Sequence, residues 1–233
     1  MKKLAVCLSG VPKHSNIGYE SIQKYFPDAD IFAQIWDTTS LDITNKTAYS
    51  YHTYSVLAKP EDVINKYKPK LYKIDNFSYH NNAWLETKQN YENQGVVISQ
   101  HSTSMLSMFY ALTESFRLKN IYEKTNNFKY DNVIRMRYDS NIINWQSNYL
   151  EIKNTIFIPI GGDNAKDGIN DQFSFGDNET MNKVGYIFNN LDNIILSCKL
   201  YNPEFCFAEH LRRVNILPNN VTRINIQVNI NGN

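Results

Sequence analysis

Glycine and proline are scarce in this chain of 233 residues, which contains nine and seven of them, and no segment repeats. Such low counts exclude a collagen-like or linker-like protein, and 13% aromatic residues is too high a share for a disordered one. No window approaches the roughly 20 apolar residues that a membrane-crossing helix needs. We therefore expect one core and one domain over residues 1–233.

An excess of either charge sign is also missing, since 24 Lys and Arg face 23 Asp and Glu, giving a formal net charge of +1. This balance provides no broad cationic surface for duplex nucleic acid, so no nucleic-acid partner is expected. Cys7, Cys198 and Cys206 cannot all pair and form no C-x-x-C motif, which disfavours zinc and dithiol sites. The apolar run at residues 4–8 is too short for a signal peptide, and we expect a cytoplasmic protein.

Apolar runs separated by turn signals predict one mixed α/β unit. Residues 75–102 are polar and weakly periodic, which predicts a long loop over one end of the sheet. Strands are predicted at residues 4–8, 30–36, 69–74, 133–134, 154–160 and 224–230, and helices at residues 17–26, 61–67, 102–123, 180–190 and 203–213.

Ser9-Gly10 follows the first predicted strand, where open α/β sheets bind ligands and where glycine lets the backbone approach a phosphate. A simple strand-ending turn is the alternative. The chain contains neither G-x-G-x-x-G nor the P-loop motif, which argues against a dinucleotide-binding Rossmann enzyme and a P-loop kinase.

Arg135, Arg137 and Asp139 alternate, so all three share one face if their strand continues. An arginine there would clamp a phosphate, and Asp139 would bind a divalent cation that bridges diphosphate oxygens. Asn141 would supply a second oxygen ligand to that cation. The alternative is a buried Arg–Asp pair that holds the end of the strand.

Four short motifs, spread over about residues 4–213, resemble those of small GT-A-like glycosyltransferases from bacterial and viral surface-glycan clusters. They are Leu8-Ser9-Gly10, Asp30-Ile31-Phe32, Tyr130-Asp131 with Arg135-Met136-Arg137-Tyr138-Asp139, and Asn170-Asp171-Gln172-Phe173-Ser174-Phe175-Gly176. The resemblance implies a single GT-A-like domain with a mixed, mostly parallel central sheet flanked by helices. It also implies a nucleotide-sugar donor across the first strand end and a D-x-D-like carboxylate that binds Mn or Mg.

Carried over residue by residue, the resemblance places Ser9 and Gly10 on the nucleotide and Asp139 on the metal. Lys13 stands where the pattern more often has an arginine, and Asn141 replaces a second acid. His210 lies late in the chain, where such enzymes often place a further metal or phosphate ligand. A partly buried helical histidine is the alternative for His210.

Asp171 follows a predicted flexible loop at residues 161–170. The resemblance places a late acid here as the base that acts on the acceptor hydroxyl, and a carboxylate is chemically suited to abstract that proton. A helix N-cap or a turn acid is the alternative.

The function expected from these features is transfer of a sugar from a nucleotide-diphosphate-sugar donor to a glycan or lipid-linked acceptor in surface polysaccharide biosynthesis. A basic stretch would rest on an anionic membrane surface or, alternatively, form a solvated face. A non-catalytic nucleotide- or glycan-binding module is the second hypothesis. A methyltransferase using S-adenosylmethionine is the third, although the glycine-rich loop it needs is missing. The basic stretch comprises Lys59, Lys66, Lys68, Lys70 and Lys73.

Overall fold

The structure is a computed structural model that describes residues 3–37, 57–99, 104–163 and 166–230. Its strands are β1 (Leu4–Leu8), β2 (Asp30–Asp37), β3 (Leu71–Asn76), β4 (Val97–Ile98), β5 (Asn132–Met136), β6 (Ser140–Ile143), β7 (Ile156–Pro159), β8 (Ser174–Asp177), β9 (Leu200–Tyr201), β10 (Val221–Ile224) and β11 (Gln227–Ile230). Its helices are α1 (Ser15–Tyr25), α2 (Pro60–Tyr67), α3 (Phe77–Asn93), α4 (Met105–Thr125), α5 (Asn178–Gly185), α6 (Ile187–Cys198) and α7 (Pro203–Arg213), with a 3-10 helix at Ser147–Glu151.

A seven-stranded sheet lies at the centre, in the order β10, β7, β8, β5, β1, β2, β3. Every neighbouring pair is parallel except the two that involve β8, which runs against both β5 and β7. The predicted α/β fold with a mixed, mostly parallel sheet flanked by helices is therefore confirmed at this level.

Helices cover both faces of the sheet, which explains why β1 is apolar throughout rather than alternating. Ala5 and Cys7 belong to the core formed with α4, α5, α6 and α7, whereas Val6 and Leu8 belong to the core formed with α1 and α2. All four side chains are fully buried.

The structure corrects the predicted loop at residues 75–102, because α3 occupies most of it. Only Phe77 and Tyr91 are buried on α3, so its sequence lacks the apolar stripe that would predict a helix. The helix begins at an N-cap, since the Asn76 side chain accepts a hydrogen bond from the Tyr79 N–H at 3.1 Å. Residues 100–102 of that predicted loop, and 164–165 of the loop before Asp171, lie outside the described residues.

Two further predicted elements are divided in the structure. The helix expected at residues 180–190 falls across α5 and α6, which meet at Tyr186. The strand expected at residues 224–230 is also split, because β10 ends at Ile224 in the central sheet and β11 pairs antiparallel with β6.

Candidate functional site

The candidate site lies at the carboxyl edge of the sheet, where β1 and β5 end side by side. Leu8 is in register with Met136, and the Ser9 N–H donates to the Met136 carbonyl at 3.4 Å. After β1 the chain turns to β2 on one side, and β5 lies on the other, so this is the topological switch point at which open α/β sheets bind ligands.

The turn after β1 depends on Gly10, whose φ of 111° favours glycine. The Gly10 N–H donates to Gln34 Oε1 at 3.4 Å, and the Gly10 carbonyl accepts from the Trp36 N–H at 3.4 Å. Gln34 is fully buried, and its Nε2 donates to Asp75 Oδ2 at 3.3 Å. Gln34 was not predicted as a site residue, although a single amide inside the apolar run of β2 was a usable signal.

Arg137 and Asp139 lie in the turn just beyond β5, because the strand ends at Met136. Arg137 Nε contacts Asp139 Oδ1 and Arg137 Nη2 contacts Oδ2, both at 2.9 Å, which is a bidentate pair. Lys13 Nζ lies 3.3 Å from Asp139 Oδ2. Burial alone would raise the pKa of Asp139, but the charges and hydrogen bonds of Arg137 and Lys13 outweigh it and lower the pKa.

Exposure separates these side chains. The Asp139 side chain is 2% exposed, whereas those of Lys13 and Arg137 are 20% and 26% exposed. The carboxylate is therefore covered, and its two cationic partners are partly exposed at this edge of the sheet. Burial and the neighbouring Arg137 charge lower the pKa of Lys13.

The turn is held from two sides. The Gly18 N–H of α1 donates to the Tyr138 carbonyl at 3.0 Å. The Tyr138 hydroxyl donates to the Gln34 carbonyl at 2.9 Å, which ties the turn to β2. A Cβ on Gly18 would lie 2.3 Å from the Tyr138 carbonyl oxygen, so this close approach requires glycine.

Arg135 lies on β5, one residue before the end of the strand, and its side chain is fully buried. Within the described residues, none of its three guanidinium nitrogens has a hydrogen-bond partner, and neither has the hydroxyl of Ser174, its register partner on β8. Burial lowers the pKa of Arg135 to about 10, the charge of Asp171 opposes that change, and Arg137 adds to it. Of the influences on the pKa of Arg135, the charge of Asp171 is therefore the one that favours the ionised guanidinium.

Asp171 lies in the segment that leads into β8 and is 4% exposed. Burial raises the pKa of its carboxyl to about 6, although Arg135 and Arg137 oppose the shift, and Glu204 adds to it. The helix cap proposed as an alternative is instead Asp177, whose side chain accepts from the Thr180 N–H of α5 at 3.1 Å.

Asn170 organises the approach to Asp171 and was missed in the sequence. Its Nδ2 donates to the Gly161 carbonyl at 2.9 Å, and its Oδ1 accepts from the Gln172 N–H at 2.9 Å. Its own N–H donates to Asp163 Oδ1 at 2.6 Å. Asn170 is the first residue of the motif that contains Asp171, but nothing in the sequence predicts its hydrogen bonds.

Among the described residues, neither of the two other predicted metal ligands, Asn141 and His210, forms a hydrogen bond with Asp139. Asn141 lies on β6 in register with Asn229 of β11. His210 is fully buried, its Nε2 lies 2.8 Å from the Lys183 carbonyl, and burial lowers its pKa.

A divalent cation does not fit the side chains around Asp139. Both carboxylate oxygens contact Arg137, and Oδ2 also contacts Lys13, so a metal ion at Asp139 would compete with two positively charged side chains that already engage the carboxylate. Across the described ranges, no group of three or more His, Cys, Asp and Glu side chains is arranged to hold a metal ion. The expected Mn or Mg site is therefore not supported by its residues.

Two lysines of the predicted basic stretch form ion pairs with acidic side chains. Lys70 Nζ lies 3.3 Å from Asp30, and Lys73 Nζ lies 3.2 Å from Asp75 and 2.9 Å from Glu114. No helix in the part of the chain that the structure describes combines the length and hydropathy needed to cross a membrane.

Comparison of the chain with protein-family models and with curated proteins returned no match.

Proposed function

We propose that the protein is a GT-A-like glycosyltransferase that moves a sugar from a nucleotide-diphosphate-sugar donor to a glycan or lipid-linked acceptor. The observation that supports this proposal most is the convergence of Lys13, Arg137 and Asp171 at the β1–β5 switch point. Two partly exposed cations suit a diphosphate, and a carboxylate with a raised pKa suits proton abstraction.

The donor diphosphate would lie over the turn after β1. Gly10 permits close approach of the backbone, and Ser9 lies beside it at the end of the strand. Lys13 Nζ would donate to one phosphate oxygen, and Arg137 would present the part of its guanidinium that Asp139 does not engage.

In the proposed reaction, the acceptor hydroxyl oxygen attacks the anomeric carbon of the donor sugar. The hydroxyl proton passes to the Asp171 carboxylate. The bond between the anomeric carbon and the diphosphate oxygen breaks, and its electron pair leaves with the nucleoside diphosphate. Lys13 and Arg137 stabilise the charge that develops on this leaving group. With a pKa of about 6, Asp171 is ionised at neutral pH and is a stronger base than an ordinary carboxylate.

The test is release of nucleoside diphosphate from uridine, guanosine, cytidine and thymidine diphosphate sugars in the presence of candidate acceptors. We expect one donor to turn over with wild-type protein, and Asp171→Asn to lower that rate by about 100-fold or more while nucleotide binding persists. Asp167→Asn is the matched control, because Asp167 is an exposed acid in the same loop. An Asp171→Asn protein with full turnover contradicts the assigned base.

A non-catalytic nucleotide-binding module is the second candidate, and the near-complete burial of Asp171 favours it. An acceptor would have to reach a carboxylate that is only 4% exposed. The module predicts saturable nucleotide binding at the same crevice without nucleoside diphosphate release from any donor and acceptor combination, so the turnover assay separates the two candidates.

A further inference from the structure

The side chains that contact Asp139 are positively charged, and this bears on how a diphosphate would be neutralised there. Asp139 accepts two hydrogen bonds from Arg137 and one charged contact from Lys13. This group of three side chains carries a net charge of +1. A divalent cation bound to Asp139 would lie within a few ångströms of two fixed positive charges in a largely buried place, where screening by water is weak.

Two side chains of the protein provide positive charge at this place without a metal ion. Lys13 and Arg137 come from the segments that follow β1 and β5, and both are partly exposed at the switch point, whereas the carboxylate that joins them is covered. Asp139 thus contacts two cations that are partly exposed at the switch point. Gly18 and Ser140 fix the turn itself, since the Arg137 N–H donates to Ser140 Oγ at 3.1 Å.

We infer that Lys13 and Arg137 neutralise the donor diphosphate without a divalent cation, and that Asp139 is a positioning residue for these two side chains rather than a metal ligand. This inference rests on the proposed function, because it concerns the binding of that donor. It replaces the role that the resemblance implies for Asp139 and Asn141.

The experiment is a thermal-shift titration of wild-type protein with uridine, guanosine, cytidine and thymidine diphosphates, each in excess EDTA and in millimolar Mn²⁺ or Mg²⁺. A bound nucleotide stabilises the folded state whether or not turnover occurs. We expect one nucleotide to bind with the same affinity in EDTA and in either metal. Lys13→Met should weaken its binding by about 10- to 100-fold under all three conditions, the usual effect of losing one charged hydrogen bond.

Lys124→Met is the matched control, because Lys124 is an exposed lysine in the last turn of α4, which leads to the opposite edge of the sheet. It should bind as wild type does. Asp139→Asn keeps an acceptor for Arg137 and tests positioning, and it should weaken binding equally with and without metal. Arg137→Gln provides a second test of the cations if Lys13→Met fails to fold.

The two proposals fail in different ways. Binding that appears only with Mn²⁺ or Mg²⁺ and disappears in EDTA overturns this inference and leaves the glycosyltransferase proposal standing. No binding of any nucleotide under any condition overturns the proposed function, and the inference with it. Nucleotide binding that is unchanged in both Lys13→Met and Arg137→Gln also overturns the inference, because it places the diphosphate elsewhere.

Discussion

Replacing Gly18 by alanine tests the packing that holds the site together. Gly18 lies inside α1, and a Cβ at this position would be 2.3 Å from the Tyr138 carbonyl oxygen and 3.0 Å from its carbon. Both are backbone atoms, so no side-chain rotation relieves the contact. Either α1 or the turn that carries Arg137 and Asp139 must move, and the hydrogen bond between the Gly18 N–H and Tyr138 is then lost.

Helix propensity and the observed packing predict opposite signs for the effect of Gly18→Ala on stability. Helix propensity alone predicts that alanine in place of a helical glycine stabilises a protein by about 1 kcal/mol. Overpacking costs about 1–3 kcal/mol, and loss of the hydrogen bond costs about 1 kcal/mol more. Since the propensity gain offsets the hydrogen-bond loss, we expect Gly18→Ala to lower the free energy of unfolding by about 1–3 kcal/mol.

The assay is urea unfolding followed by circular dichroism, together with nucleotide binding measured by thermal shift. Gln23→Ala is the control, because Gln23 is an exposed residue of the same helix and should change stability little. Gly18→Ala should also bind nucleotide more weakly, since the turn that bears Arg137 is displaced. A Gly18→Ala protein that equals or exceeds wild type in stability would show that α1 does not pack on this turn.

Three further predictions concern substitutions of Asp171, Arg135 and Asn170. Because the folded-state pKa of Asp171 is raised from 3.8 to about 6, its ionisation opposes folding by about 3 kcal/mol above that pH. The stability of wild type relative to Asp171→Asn should therefore rise as pH falls from about 7 to 4 in urea titrations, and a pH-independent difference would contradict the shift. Arg135→Met should raise the pKa of Asp171 further. The pH below which the sugar-transfer rate falls should therefore be higher in this variant than in wild type. A variant that is less stable but keeps the wild-type pH profile would show that Arg135 has a structural role only. Asn170→Ala removes two side-chain hydrogen bonds and should cost about 1–3 kcal/mol in unfolding free energy, against little change for the exposed Asn90→Ala.

The bounds of individual elements could be predicted where apolar runs end at clear breaks. Leu4–Leu8 and Pro203–Arg213 have the bounds that the sequence indicates, because Ser9-Gly10 stops the first and Pro203 starts the second. The helix α3 could not be predicted in this way. It packs through few side chains, and a local asparagine cap rather than an apolar stripe marks its start.

The site was predictable only as far as the strand-end rule extends. That rule places the segments after β1 and β5 together, and so it brings Lys13 near Asp139. It does not show that β5 stops at Met136 and that Arg137 then turns back onto Asp139, because this depends on the contact between α1 and the Tyr138 carbonyl. The shared face predicted for Arg135, Arg137 and Asp139 required the strand to continue, whereas Asp139 lies beyond its end, where Arg137 and Lys13 contact its buried carboxylate.

Two buried cations differ in their hydrogen bonds, a difference that composition does not reveal. Lys119 and Arg135 are both fully buried. Lys119 donates to Glu123 at 3.0 Å and to Asn178, so its burial is compensated within the core. Arg135 has no such bond among the described residues and has only the field of Asp171 to offset its desolvation. Replacing a buried ion pair by apolar side chains of similar volume is often neutral or stabilising, so packing alone does not account for this arrangement. In the proposed function, the charge of Arg135 would favour the ionised form of the buried Asp171 carboxylate, whose pKa it lowers against the effect of burial.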